Sequence, residues 1–224
     1  MAESAPALDR MYGAKERAYY GLVRKELVDL IPMGTKRLLD VGCGEGDTAL
    51  EAKRRLGLEV VGIELHAPAA AIAATKLNRV IVGDVEQVEI DYPERHFDCI
   101  LCADVLEHTK DPWEVLRRLG RYLSDGGVLI ASIPNIRHIS PVMKILLDRF
   151  EYQDSGILDR THLRFFTLHT IRELFGRARL SIRRIVPIHS GGWKCGLLAA
   201  LSLGLMRPFC IQQYIVIAKR RRAA

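Results

Sequence analysis

The feature that most constrains this chain is a glycine-rich turn directly after an apolar segment. Residues 37–47 read Arg-Leu-Leu-Asp-Val-Gly-Cys-Gly-Glu-Gly-Asp. The alternating Gly42, Gly44 and Gly46 are typical of a turn in which the backbone adopts positive φ and approaches a ligand without an intervening Cβ. The third residue after Gly44 is Asp47, so the G-x-G-x-x-G dinucleotide fingerprint is incomplete. We predict a strand, a ligand-binding loop and a helix; the alternative is that the glycines only tighten a strand-to-helix turn.

Segments with strand and helix character alternate along the rest of the chain. We predict helices over 15–30, 47–55 and 68–76, a helix capped by Asp111-Pro112, a helical patch over 141–150, and strands over 58–63, 79–82, 97–102 and 126–133. This alternation favours a parallel sheet with helices on both faces. Thr167 and a capping box over 170–173 are interpreted as the start of a helix through Phe175. Two further strands are expected over 181–188 and 211–218.

Size and composition indicate an ordinary globular protein. The 224 residues predict a single domain, 1–224, with an N-terminal helix or lid over 1–33 and an insertion over 136–166. The first residues lack a basic and an apolar signal region, and the apolar run 196–206 is too short for a membrane span, so we interpret it as a buried or interfacial helix. We therefore expect a cytoplasmic protein.

The five cysteines are scattered, which favours a reducing compartment over a disulfide framework. Cys99 and Cys102 form a C-x-x-C pattern, but within a strand residues three apart face opposite sides. The sequence thus disfavours a redox or zinc role for this pair. The net charge of +6 is concentrated in 172–184 and 219–222, where a solvated face is the simplest interpretation.

The glycine-rich turn, Asp40 before it and Glu64 at the end of the next strand resemble motif I and its partner acid in class I S-adenosylmethionine-dependent methyltransferases. The resemblance covers most of the chain. It implies a Rossmann-like, seven-stranded, mostly parallel sheet with helices on both faces, closing antiparallel strands and an insertion after the fifth strand. It also implies methyltransferase activity with S-adenosylmethionine as cofactor.

The resemblance assigns roles around that cofactor. Glu64 would accept the ribose hydroxyls, Asp40 would organise the turn or the ammonium group, and Asp84 would take the adenine amino group beside the Val85 amide. A local turn is the alternative for Asp84. The full cofactor-binding set is Asp40, Gly42, Cys43, Gly44, Gly46, Glu64, Leu65, Asp84, Val85 and Ala103.

The segment Asp-Val-Leu-Glu-His, 104–108, follows the fourth strand, where methyl donor and acceptor meet in similar enzymes. His108 is the first candidate base, His162 the second and His138 the third, since histidine titrates near neutral pH. Either of the first two could instead make only local hydrogen bonds. Asp104 is a further catalytic candidate beside His108 and His162. Asp104 and Glu107 could orient a histidine, bind hydroxyls or ligate a divalent ion. The sequence does not fix a metal.

The insertion is rich in candidate substrate contacts, because long polar loops above a rigid sheet commonly bind ligands. With Glu107, the candidates are Arg137, His138, Arg160 and Arg164; for the three arginines, salt bridges within the insertion are the alternative. The segment resembles bacterial methyltransferases found beside surface-polysaccharide glycosyltransferases. That resemblance names a gene neighbourhood and not a substrate. Our first hypothesis for the acceptor is a sugar or lipid-linked saccharide hydroxyl, with association with a glycosyltransferase or the inner membrane face.

Three alternatives stay open: methylation of another small molecule, methylation of protein or RNA, and an accessory protein that keeps the fold without catalysis. The fourth strand is not followed by Asn-Pro-Pro-Tyr or a Pro-Cys nucleophile, and no RNA-binding module is apparent. Nucleic acid is therefore a disfavoured partner.

Overall fold

The computed structural model describes residues 23–190 and 202–221. Seven strands form one sheet in the order β3-β2-β1-β4-β5-β7-β6. The strands are β1 (Arg37–Val41), β2 (Glu59–Glu64), β3 (Arg79–Val82), β4 (Phe97–Ala103), β5 (Leu123–Pro134), β6 (Leu180–His189) and β7 (Ile211–Arg220). The first five are mutually parallel and β7 is antiparallel to both its neighbours. The predicted mostly parallel, seven-stranded sheet is confirmed.

The described helices are α1 (Lys25–Val28), α2 (Asp47–Leu56), α3 (Ala67–Ala74), α4 (Pro112–Tyr122), α5 (Ile139–Leu146) and α6 (Leu168–Arg177). Short 3-10 helices cover Leu106–His108 and Arg207–Cys210. Most predicted elements are found within a few residues of their predicted ends. The largest shifts are the earlier start of β5 and the earlier, shorter α5. None of the helices in the described ranges is both long and apolar enough to cross a membrane.

Two hydrophobic clusters cover the two faces of the sheet. Successive residues of β1 and β4 alternate between them, so that Cys102 packs with α4 and α6 whereas Cys99 packs with α1 and α2. The predicted opposite orientation of the C-x-x-C cysteines is confirmed, and both side chains are fully buried. Helices on both faces therefore leave the strand ends as the place where a ligand can enter.

The start of α4 follows the predicted signals. The Asp111 carboxylate accepts a hydrogen bond from the Glu114 amide at 3.0 Å, and Pro112 is the first helical residue. The sequence pattern predicts a buried stripe of Trp113, Leu116, Leu119 and Leu123 on this helix, and that prediction is partly wrong. Trp113 lies only at the edge of the core, with Val115 buried instead, and Leu123 belongs to β5.

Thr167 caps α6 as predicted, but the predicted capping box at 170–173 is wrong. The Thr167 hydroxyl accepts from the Thr170 amide while the Thr170 hydroxyl accepts from the Thr167 amide, and α6 begins at Leu168. Thr170 therefore occupies the third helical position, not the cap.

Some predictions fall wholly or partly outside the described residues. Of the predicted helix over 15–30, the described part is helical only over Lys25–Val28. Tyr12, Tyr19 and Tyr20 of the proposed lid lie outside the described ranges, as does Cys195. Within the apolar run 196–206, residues 202–206 form turns, not the expected helix, and the Leu203 and Leu205 side chains are exposed.

Candidate functional site

A cavity of about 540 Å³ opens at the carboxyl ends of β1, β2 and β4. Its lining includes nine of the ten predicted cofactor-binding residues, Gly46 being the exception, together with Asp104, Glu107, His108 and His162. Parallel strands bring their carboxyl ends to one edge of a sheet, which explains how acids and glycines distant in sequence converge here.

The glycine-rich loop has the predicted backbone conformation, since φ is +67° at Gly42, +56° at Gly44 and +82° at Gly46. A Cβ on Gly42 would lie 2.6 Å from Val105 Cγ2, and a Cβ on Gly46 would lie 3.2 Å from Ala73 Cβ. Two of the three glycines thus also allow the loop to pack against neighbouring protein, as the alternative interpretation expected.

Glu64 is held by the loop that it faces. One carboxylate oxygen, Oε2, accepts from the Gly44 amide and the other, Oε1, accepts from the His66 amide, each at 2.8 Å. Burial raises the pKa of Glu64, and the two backbone hydrogen bonds oppose that shift. The carboxylate is therefore fixed in orientation while it lines the cavity.

Asp40 is the second buried acid of the cavity, with 3% of its surface exposed. Burial, followed by the nearby Glu64 charge, raises the pKa of Asp40 to about 7. Asp84 also lines the cavity, and its Oδ1 accepts from the Glu86 amide at 2.8 Å, which is the local turn foreseen as its alternative role.

The cavity is acidic although the protein carries a net charge of +6. Among the described residues, seven carboxylic side chains line it against the two cationic side chains of Arg24 and Lys110: Asp40, Glu64, Asp84, Glu86, Asp104, Glu107 and Asp159. An acidic, partly desolvated cavity favours cationic ligands. The sulfonium and ammonium groups of S-adenosylmethionine fit this charge, and the positive-φ glycines leave room for a close approach to the backbone.

Asp104 is the centre of a network that joins three distant segments. Arg24 Nη1 and Gln213 Nε2 both donate to its carboxylate, and Ser132 Oγ donates to Oδ1 at 3.1 Å. Its φ is +54°, which is uncommon for a residue with a side chain. Three donors on one carboxylate favour a positioning role over proton transfer for Asp104.

Glu107, His108 and His162 form a compact cluster that lines the cavity. His162 Nε2 lies 4.0 Å from Glu107 Oε1, and the two imidazole ring centroids are 4.7 Å apart. Glu107 is 1% exposed, and neither of its carboxylate oxygens has a hydrogen-bond partner among the described residues. Burial, followed by the Asp104 charge, raises the pKa of Glu107 well above its usual value.

The insertion reaches the cavity, but through residues other than the predicted arginines. Its cavity-lining members are Ser155, Gly156, Ile157, Asp159, His162 and Leu163. The backbone amides of Leu163 and Arg164 donate to the Glu107 carbonyl at 2.8 and 3.0 Å, so the insertion is tied to the Leu106–His108 helix.

The other predicted substrate-binding residues lie outside the cavity lining. Arg137 stacks over Phe209 with 4.7 Å between Cζ and the ring centroid, and His138 shares a hydrogen bond with Ser190 Oγ at 2.9 Å. Arg160 pairs with Asp154 at 2.6 Å, and Arg164 donates to the Lys110 carbonyl at 2.6 Å. Of these contacts, the Arg160–Asp154 pair is a salt bridge within the insertion, as the alternative expected. Arg137 and Arg164 instead contact groups outside the insertion.

Sequence reasoning missed Arg24, Asp159 and Gln213, which also line the cavity. The polar pair Gln212-Gln213 in an otherwise apolar strand was a usable signal for the last of them. Nothing in the local pattern distinguishes Arg24, which directly precedes α1, from the other basic residues of the predicted helix over 15–30.

Comparison with known proteins gives a sequence match and several structural matches. Residues 14–184 match the sequence profile of a family described as a methyltransferase domain. The chain is 32% identical over 110 residues to 27-O-demethylrifamycin SV methyltransferase of Amycolatopsis mediterranei (strain S699), covering 46% of this chain and 40% of that protein. It is 34% identical over 116 residues to the ubiquinone biosynthesis O-methyltransferase of Alkalilimnicola ehrlichii, covering 50% of this chain and 47% of that protein.

The chain therefore spans less than half the length of these two curated relatives. Among solved structures, a Thermotoga maritima protein described as an S-adenosylmethionine-dependent methyltransferase, possible histamine N-methyltransferase, superposes with a TM-score of 0.67 at 16% identity. That superposition covers 96% of this chain and 99% of the other, and at this identity it shows the fold alone.

Proposed function

This chain belongs to the methyltransferase domain family that its residues 14–184 match, and we propose that it methylates a hydroxyl group of a small acceptor. The family and the fold imply S-adenosylmethionine as the cofactor. The observation that carries the proposal is the acidic cavity at the strand ends, where Glu64 is held by the Gly44 amide.

S-adenosylmethionine supplies an activated methyl group on a sulfonium centre. The protein's own contribution is to hold the acceptor in line and exclude water, which can supply about 7 to 11 kcal/mol. Glu64 would orient the ribose, Asp40 would offer negative charge to the cationic side chain of the cofactor, and Asp84 with the Val85 amide would face the adenine. All four groups line one continuous cavity.

A hydroxyl acceptor gains from proton removal, where a positioned base contributes about 10² to 10⁴ in rate. His108 Nδ1 is 3.1 Å from the Thr161 carbonyl and His162 Nδ1 is 3.0 Å from the Ile157 carbonyl. A carbonyl can only accept, so each Nδ1 carries the proton and each Nε2 offers a lone pair. Both histidines are therefore suited to receive a proton from a hydroxyl bound beside Glu107.

Oxygen as the methylated atom is supported by the two curated relatives, one named for rifamycin and one an O-methyltransferase of ubiquinone biosynthesis. Among hydroxyl acceptors we propose a sugar or lipid-linked saccharide, because residues 136–166 resemble bacterial methyltransferases found beside surface-polysaccharide glycosyltransferases. Association with a glycosyltransferase or a membrane face belongs to the same proposal. Its support is the exposure of Ile145, Leu146 and Leu147, at 51%, 72% and 64%.

The test is transfer of labelled methyl from S-adenosylmethionine by the purified chain into fractionated extract. The fractions are saccharides, lipid-linked saccharides, phenols and quinols, protein, and RNA. Label in a hydroxyl-bearing small-molecule or saccharide fraction, lost in Glu64→Ala and kept in the exposed-site control Glu89→Ala, is the expected result. Label in protein or RNA would refute the acceptor class, and cofactor binding without transfer to any fraction would favour the accessory alternative.

A further inference from the structure

We propose that Glu107, His108 and His162 form a binding site for one divalent transition-metal ion of the zinc type. One potential ligand atom from each residue lies within 4.8 Å of the other two. Two imidazoles and one carboxylate form a ligand set known from zinc sites with an open coordination position. The three side chains already line the cavity, so that open position would face the proposed acceptor.

The first argument is the state of the Glu107 carboxyl group. It is 1% exposed, and both oxygens are buried without a hydrogen-bond partner in the part of the chain that the structure describes. An unsatisfied buried carboxyl group is costly, and such groups in folded proteins are normally paired, hydrogen-bonded or bound to metal. A cation between Glu107 and the two imidazoles would supply the missing partner.

The second argument is the orientation of the two imidazoles. Metal-ligating histidines characteristically donate the other ring N–H to a carbonyl or carboxylate, which fixes the tautomer. His108 and His162 both do so, through Nδ1, to the Thr161 and Ile157 carbonyls. The Nε2 atoms are thereby left as the basic nitrogens of the cluster.

Asp159, which is 2% exposed, also helps to fix the orientation of the His108 ring. Asp159 Oδ1 accepts from the amide and the hydroxyl of Thr161, at 2.8 and 2.7 Å. The Thr161 carbonyl then accepts from His108 Nδ1. A buried acid thus fixes the backbone segment that orients one proposed ligand.

The three ligand atoms lie within 4.8 Å of one another and would move closer together by up to about 1.5 Å on binding. Ligand atoms around tetrahedral zinc lie roughly 3.3 Å apart, and His162 Nε2 is 4.0 Å from Glu107 Oε1. Since two amides of the insertion donate to the Glu107 carbonyl, His162 and Glu107 belong to segments that are already joined. Side-chain rotations would therefore be sufficient to close the site.

The ligand types also indicate which ions fit. Imidazole nitrogen favours zinc, cobalt, nickel or iron, whereas magnesium and calcium prefer all-oxygen sites. Asp104 and Asp159 add negative charge around the cluster, which lowers the cost of placing a dication there. If the proposed hydroxyl methylation holds, the ion would lower the pKa of the bound hydroxyl, and the histidines would serve as ligands in place of bases.

The site is tested independently of catalysis by titrating the full chain with Co²⁺ and recording visible d–d absorption, followed by displacement with Zn²⁺ under calorimetry. We expect one equivalent to bind, with affinity reduced at least ~100-fold in Glu107→Gln and in His162→Ala. His169→Ala, an exposed histidine on α6, is the matched control and should bind the ion normally.

Far-UV circular dichroism, measured on the same samples, reports whether each variant is folded. Should His162→Ala fail that check, the near-isosteric Glu107→Gln decides the result. Absence of Co²⁺ binding by the unaltered chain, or unchanged binding in Glu107→Gln, would overturn the metal site while leaving the proposed methyl transfer intact. If the unaltered chain neither bound the cofactor nor transferred methyl, that result would instead refute the proposed function.

Discussion

The Gly44 amide donates a hydrogen bond to the Glu64 carboxylate at 2.8 Å. Because β1 and β2 are parallel neighbours with Val41 opposite Ile63, the residues that follow each strand emerge side by side. The glycine-rich loop and the acid 20 residues later therefore form one structural unit. The acid proposed to bind the ribose is positioned by the loop proposed to contact the rest of the cofactor.

Glu64→Gln should weaken S-adenosylmethionine binding by about 5- to 150-fold, or ~1 to 3 kcal/mol. Glutamine keeps one carbonyl oxygen, but its amide group cannot accept the second backbone hydrogen bond or carry negative charge. Isothermal calorimetry measures the change, and Glu89→Gln provides an exposed control. Unchanged affinity in Glu64→Gln would exclude this carboxylate from the cofactor site.

Gly42→Ala should destabilise the fold by more than ~1 kcal/mol, because φ is +67° and the new Cβ would lie 2.6 Å from Val105 Cγ2. Denaturant unfolding followed by circular dichroism measures the change. Gly176→Ala is the matched control: its Cβ would meet nothing within 4 Å, and a helical alanine should be neutral or stabilising by up to ~1 kcal/mol.

A second substitution, at Val105, tests the cause of the predicted Gly42→Ala destabilisation. Val105→Ala removes the methyl group that the Gly42→Ala side chain would contact, so the double variant should regain part of the lost stability. Strictly additive effects of the two substitutions would show that the contact with Val105 is not the cause.

The Asp40 pKa predicts a pH-dependent stability. Its folded-state value is about 7 and its ordinary value is 3.8, so between those values the folded protein holds a proton that the unfolded chain has lost. Stability should therefore fall as pH rises through this window and level off above about pH 7, by at most ~4 kcal/mol from this group.

Asp40→Asn removes the titrating proton, so the variant should gain stability relative to the unaltered chain at pH 8 and less at pH 4. Urea unfolding at both pH values measures the difference, with the exposed Asp91→Asn as control. An Asp40→Asn effect of equal size at both pH values would contradict the raised pKa.

The four described cysteines, Cys43, Cys99, Cys102 and Cys210, are buried. Burial raises the pKa of the first three thiols, so the reactive thiolate is scarce. All four should resist iodoacetamide at pH 8 in the folded protein and react fully in guanidinium chloride. Peptide mass spectrometry resolves each position. Rapid native labelling of Cys99 or Cys102 would contradict the packing of β4.

Much of the fold could be predicted because its signals are local. The strand at 79–82 and the cap and first residue of α4 were placed correctly, since apolar runs and turn chemistry act within a few residues. The start of α6 shows the limit: Thr170 heads the Thr-x-x-Glu pattern of a capping box, yet Thr167 is the residue that caps the helix. Trp113 was misplaced because helix periodicity does not give the rotation of α4 on the sheet.

The sequence by itself determined the order of strands and helices, the positive-φ loop and the acids at the strand ends, because these depend on local conformation and on strand direction. Only the tertiary structure decided which distant side chains meet. It joined Arg24, Asp104 and Gln213, brought His162 of the insertion to Glu107 and His108, and left four predicted substrate residues outside the cavity. Such contacts depend on the order of strands in the sheet and on the path of a long loop across it, and neither is encoded in any one segment's periodicity.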